Sequence, residues 1–255
     1  MFYFFFFSYI SILKRVLNSE IHLVIQGQGN QLILNESFYK DPAEVYVNNI
    51  KVDSLERYCD MPYNLNNVTL IFEEEINSTE NMFYGLNNII EIDLSNFDTS
   101  KVKSMNSMFK QCENLNSIYF GQIDTSSVEN MVSLFQNCKN LKSIDLTNFD
   151  TSKVTNMNLI FSRCEKITSI DASSFNTSKI VEMFDLFSYC YRLLTVNLSN
   201  FDTSKVTNMQ GFFYCSDHIK FLDLSNFDAS SLINLSFGEG HESDGVQVYC
   251  PVSLK

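Results

Sequence analysis

The chain has no Trp, no Cys-x-x-Cys pair and only three His among its 255 residues. His22, His218 and His241 show no ligand spacing among themselves, and nothing resembles a dithiol centre, so no metal is expected. Positive charge is also short. With 18 basic against 30 acidic side chains the formal net charge is −12, which makes nucleic acid and anionic membrane surfaces poor partners. No nucleophile elbow, phosphate loop, zinc-binding helix or isolated carboxylate pair is present, so the sequence names no catalytic residue, no enzyme activity and no cofactor. The pair Gly27 and Gly29 lacks the later glycine and strand-to-helix setting of a nucleotide loop and reads as a turn. Seven Cys are too few, and too evenly placed, for a disulfide-dense miniature scaffold.

Long apolar runs are missing too. The longest, FYFFFFSYISIL at residues 2–13, falls short of the roughly 20 residues a helix needs to span a bilayer. Its length suits the apolar part of a secretory signal covering residues 1–19, although Lys14 and Arg15 follow the run instead of preceding it. A buried strand is the other reading of the same run. Residues 238–255 are polar, end near Cys250-Pro251 and contain no apolar anchor.

What the chain does have is one phrase said several times. Phe97, Phe149, Phe175, Phe201 and Phe227 lie on a grid with a step of 26, Ile123 filling the missing place. Met105, Met131, Met157, Met183 and Met209 share that step, as do Phe109, Phe135, Phe161, Phe187 and Phe213, and Cys112, Cys138, Cys164 and Cys190. A fixed period of this length marks a stacked-repeat architecture, because one unit cannot bury its own apolar face and its neighbours can. Residues 66–237 are read as these repeats. Residues 20–65, with the short runs IHLVI, QLIL and VYVNNIKV, are read as a β-rich N-terminal cap.

Within one unit, LKSIDL at 141–146 places Ile144 and Leu146 on one face of a strand. Thr151 or Ser152 then offers a helix N-cap, and Val154, Met157 and Phe161 follow at steps of three and four, as on one face of a short helix. The expected fold is therefore an α/β solenoid, with a parallel strand ladder on one side and short helices on the other. The Leu-x-x-Ile-x-Leu strand is that of leucine-rich repeats. The fuller phrase LDLSNFDTSKVTNM with MF-x-x-C-x-x-L closely resembles the BspA-like surface-protein family. That resemblance implies a secreted or cell-surface protein, extracellular and engaged in adhesion to a protein or glycan partner. An intracellular scaffold in the cytoplasm and a passive coat component are the alternatives.

The outward residue of each strand gives the candidate binding strip: Asp93, Tyr119, Asp145, Asp171, Asn197 and Asp223. Hydroxyl ladders flank it, Ser117, Ser143, Ser169 and Thr195 on one side and Ser95, Thr147, Ser173, Ser199 and Ser225 on the other. The strip reads either as a surface for a basic or hydroxyl-rich partner or as a solvated face that keeps the sheet soluble. A second series, Asp98, Asp124, Asp150, Asp202 and Asp228, precedes hydroxyl residues as turn formers do. The Cys ladder reads as buried thiols, with Cys59 and Cys250 the better disulfide candidates. Cys215 falls one residue before its grid place at Ser216, which suggests a local shift in that unit.

Overall fold

The computed structural model describes residues 19–53, 57–236 and 247–249; the apolar run at 2–13 and Cys250 lie outside them. β1 (Ser19–Gln26) alternates in burial, with Ile21, Leu23 and Ile25 in the core. That is the pattern a half-buried strand requires. β2 (Gly29–Leu32), β3 (Glu44–Val47), β4 (Ile50–Lys51), β5 (Tyr58–Met61) and β6 (Leu65–Phe72) complete the first part of the chain. Asn48 and Asn49, at φ 49° and 65°, make the two-residue turn between β3 and β4, a place where positive φ matches strand twist. β1 is paired antiparallel with β6 (Leu23 opposite Val68) and, on its other edge, with β7 (Ile89–Asn96). β7 in turn runs parallel to β8 (Ser117–Tyr119), Ile92 opposite Ile118. One six-stranded sheet, in the order β4-β3-β6-β1-β7-β8, thus carries the N-terminal strands directly into the repeats.

Further on, β9 (Ser169–Asp171) and β10 (Thr195–Asn197) pair in parallel with a 26-residue offset. β11 (Asn208–Gln210), β12 (Phe221–Asp223), β13 (Asn234–Ser236) and β14 (Gln247–Tyr249) follow. β12 joins β10 on one side and β14 on the other, and β11 pairs with β13. The ladder is interrupted at residues 143–145, which form no strand, and there Ile144 is only partly buried while Ile118 and Ile170 are in the core.

The expected α/β solenoid is overturned. The described residues contain no helix, and their strands divide among four sheets of six, four, two and two strands, some antiparallel. The segment read as a helix instead takes left-handed backbone at two fixed points per unit. One series is Asn81, Ser107, Ser133, Leu159, Asp185 and Gly211; the other is Gly85, Gln111, Asn137, Arg163, Tyr189 and Cys215, all with φ between 52° and 73°. A residue at positive φ cannot continue a right-handed helix. Alternate amides turn outward to the next unit: Met105 donates to the Asn130 carbonyl, Ser107 to Val132, Phe109 to Leu134 and Gln111 to Gln136, at 2.7–3.1 Å. The amides between them close local turns, Met108 to Met105, Lys110 to Ser107 and Cys112 to Phe109. Parallel bridges linking Ser78, Ser104, Asn130 and Asn156 run along this wall, where the helices were expected.

Stacking at a constant offset puts like side chains on like. The rings of Phe83, Phe109, Phe135, Phe161, Phe187 and Phe213 form a column with successive centroids 5.3–5.9 Å apart and planes within 14° of parallel. Offset stacks of this kind are worth about 0.5–1.5 kcal/mol per pair beyond the area they bury. Thr151, read as a helix cap, is fully buried and does something else. Its hydroxyl donates to the Asn176 carbonyl at 3.0 Å and accepts the Asn176 amide at 2.7 Å, so one side chain satisfies both backbone groups of the next unit. Thr99, Thr125, Thr177 and Thr203 make the same double bond to residues 124, 150, 202 and 228.

Two outcomes are expected. The far-UV circular dichroism of the purified chain should lack the double minimum of α-helix; a helical signal equivalent to one short helix per repeat would contradict the wall. Thr151→Val, which keeps the shape but strands a buried amide and carbonyl, should lower stability by about 1–3 kcal/mol in denaturant unfolding, while Thr151→Ser retains most of it.

Candidate functional site

Strand alternation is what aims the strip outward. In β8, β9, β10 and β12 the central residue is buried and its neighbours face out, so Tyr119 (55% exposed), Asp171, Asn197 and Asp223 stand on the sheet face. Asp145 is exposed although its segment forms no strand, and Asp93, at the crowded junction with β1, is half-buried. The six do not form one site. Asp171, Asn197 and Asp223 share a depression of about 410 Å³ floored by Ile170, Val196 and Leu198. Asp93 and Tyr119 border another of about 350 Å³ beside His22 and Thr69, whose side chains are hydrogen-bonded at 3.0 Å. Tyr119 and Asp145 border a third of about 360 Å³ at the interruption in the ladder.

The carboxylates are fixed before any partner arrives. Asp93 accepts the Ser95 amide, Asp145 the Thr147 amide, Asp171 the Ser173 amide, and Asp223 the Ser225 amide, all at 2.8–3.0 Å. Asn197 does the same with Ser199 at 3.1 Å. The charged form is favoured by these bonds. The Thr147 amide and then its hydroxyl hold Asp145 below the usual carboxylate range, and the hydroxyl and amide of Ser173 and of Ser225 do so for Asp171 and Asp223. The face therefore stays negative well into mild acid. In Asp93, Asp145, Asp171 and Asp223 the turn amide bonds one carboxylate oxygen, Oδ1, and the Asn197 side chain bonds the Asp171 carboxylate as well. The second acidic series repeats the arrangement one turn later, Asp124 accepting from Ser126 and Asp150 from Ser152. That local turn role of the strip aspartates was missed in the sequence, although the spacing Asp-x-Ser/Thr announces it in both series.

The ladder thiols sit within the core. Cys112, Cys138, Cys164 and Cys190 are buried, and each Sγ donates to a carbonyl 29 residues earlier, those of Phe83, Phe109, Phe135 and Phe161, at 2.9–3.2 Å. Ser216 continues the series, its hydroxyl bonded to the Phe187 carbonyl at 2.6 Å. The unit is thus not shifted: Phe213 still stacks on Phe187, and Cys215 simply stands at the left-handed position that Tyr189 has one unit earlier. Burial pushes Cys112 and Cys190 up to about 12, and Cys138 and Cys164 well above the ordinary thiol range. Cys59 is also buried. Among the described residues no group of three or more His, Cys, Asp or Glu is placed to hold a metal ion, and no helix is long and apolar enough to cross a membrane.

A backbone bonded to itself at a constant offset, with ladders of like side chains turned inward, defines a repeat protein. Three overlapping stretches, residues 58–143, 77–193 and 159–237, match the family described as Mycoplasma protein of unknown function, DUF285. Together they cover more than half of the chain, and the chain belongs to that family. The overlaps are what a repeat produces when one family pattern fits it in several phases. No curated protein and no solved structure matches the chain.

Because their folded pKa of about 12 lies above the ordinary 9.0, Cys112 and Cys190 contribute stability that is fully present below 9.0 and lost as pH rises toward 12. Cys138 and Cys164, also raised, act in the same direction. Native protein at pH 8 should leave all four unmodified by iodoacetamide, while half-exposed Cys215 reacts; in denaturant all should react. Mass spectrometry of the peptides reads the difference, and native labelling of Cys138 would contradict the ladder.

Proposed function

We propose that the chain is a secreted or cell-surface binding module of the BspA-like variety, which takes part in adhesion by holding a protein or glycan partner against its sheet face. One observation carries the reading: Asp171, Asn197 and Asp223 are brought around a single depression with their acceptor groups already oriented by turn bonds. Groups fixed in this way lose little side-chain freedom when a partner binds, and that favours affinity at modest area. Their charge suits a partner with basic groups or hydroxyls. Membership in a repeat family supports the reading further, since the repeated residues build a surface and leave its exposed positions open to recoding.

Intact cells treated with a membrane-impermeant amine reagent should yield labelled protein. The purified chain should then bind at least one member of a panel of immobilised matrix proteins and glycans. Asp171→Asn with Asp223→Asn keeps the turn acceptor, as Asn197 does naturally, but removes both charges; on the order of tenfold weaker binding is expected, with a reduced salt dependence. Unlabelled protein on intact cells, or binding unchanged by the double substitution, would sink the proposal.

A further inference from the structure

The turn wall, whose depression shares no lining residue with those of the strip, breaks its own pattern in one place. At the first left-handed position the units carry Ser107, Ser133, Leu159, Asp185 and Gly211; at the second they carry Gln111, Asn137, Arg163, Tyr189 and Cys215. Three positions along from Gly211, Tyr214 stands where the two preceding units have Ser162 and Ser188. These departures are neighbours in space. Asp185, Tyr189, Asn208, Gln210, Gly211 and Tyr214 line a depression of about 720 Å³. The Tyr189 and Tyr214 rings meet edge to face, centroids 5.2 Å apart, and the Arg163 guanidinium lies over the Tyr189 ring at 4.0 Å.

Gly211 is what makes room. A Cβ there would lie 2.1 Å from Asp185 Oδ1, so the carboxylate occupies space that any other residue of the next unit would fill. Asp185 is half-buried, and burial pushes its pKa up, with Arg163 acting in the opposite direction. Nothing about the stack needs this arrangement: the units with Ser107 and Ser133 make the same inter-unit amide bonds as Asp185 makes to the Gln210 carbonyl.

We propose that this depression is a second ligand site, separate from the sheet-face strip, and that it takes a neutral saccharide ring. With the Tyr189 face covered by Arg163, the Tyr214 ring offers the flat apolar wall with a polar tip that the C–H face of a pyranose covers. A carboxylate beside two primary amides supplies acceptors and donors to adjacent hydroxyls. The volume falls in the range of small-ligand clefts, and its lining mixes apolar wall with a few convergent polar groups. A cationic ligand fits less well. Arg163 already covers the aromatic face of Tyr189 that a cation would use, and its charge offsets that of Asp185.

The test is saturation-transfer NMR on the full chain with the methyl glycosides of glucose, galactose, mannose and N-acetylglucosamine as probes. Irradiating the aromatic envelope should transfer magnetisation to ring protons of at least one glycoside. Tyr214→Ser and Asp185→Ser install residues that other units already carry at those positions, so the stack is retained, and each should weaken binding on the order of tenfold. Asp150→Asn, which lies in neither depression and keeps its turn acceptor, should leave it unchanged. Should Tyr214→Ser fail to fold by circular dichroism, Asp185→Ser alone carries the comparison. The proposal is overturned if no glycoside in the panel binds, if binding survives both substitutions, or if only a lysine-rich peptide probe binds.

Discussion

Everything in this molecule depends on one constraint: each unit's backbone must bond to the next at a constant offset. Amides at residues 79, 81, 83 and 85 reach carbonyls 25 residues on, and the same interval holds from 105 through 111, from 131 through 137 and again at 183 through 189. A buried peptide group left unpaired costs as much as the bond it forgoes, so a wall that faces the core on one side must pair along its whole length. The left-handed residues are the means. By reversing the chain twice in each unit they direct alternate amides out of the unit and across to its neighbour. Among the described residues ten such positions are not glycine, and they show that the pairing outweighs about 1 kcal/mol or more of backbone strain at each of them.

Side-chain identity follows from that offset. Once the backbones are in phase, equal positions lie on top of one another, and each ladder must tolerate its own kind. Phenylalanine does so by offset stacking and threonine by bridging an amide and a carbonyl of the neighbour. A thiol does so by donating to a carbonyl, and Ser216 shows that the donor matters and not the sulfur. The core is thereby committed. Recognition is left to the exposed positions, where a change does not propagate along the stack.

The grid itself was legible, because a step of 26 in Phe, Met and Cys requires no structure to be seen. So were the strand phase of Ile118, Ile170 and Val196 and the turn role of Asp124 and Asp150. The helix was not. Val154, Met157 and Phe161 fall at steps of three and four, and a chain folded into successive three-residue turns buries residues at those same steps. Apolar spacing reports which residues go inward and says nothing of φ. The one available signal was polar: Asn81, Ser107, Ser133 and Asn137 sit in mid-segment, where an α-helix gains least from them and left-handed backbone accepts Asn most readily. On the candidate strip, the outward placement was legible while the turn bonds and the division into three depressions were not, since the interruption at residues 143–145 leaves no mark in a motif that reads as intact there.

Tyr119 shows how far the face is free of the fold. Every other strip residue, Asn197 included, is an Asx acceptor for the amide two residues on, and that second residue is Ser or Thr: Ser95, Thr147, Ser173, Ser199 or Ser225. Tyr119 has no such acceptor, and in its unit the second residue is Gly121, at φ +58°. A Cβ there would lie 2.8 Å from the Ser95 backbone, so the neighbouring unit admits only glycine. The turn that a side-chain carboxylate makes in the other units is made here by glycine's backbone freedom. The strip position is thereby released from its structural duty and carries an exposed aromatic instead. An aspartate on this face serves turn and surface together, whereas the Tyr119–Gly121 pair divides those tasks between two residues. Changing the character of the face therefore requires a paired substitution wherever the acceptor is lost, and a single one wherever Asp becomes Asn.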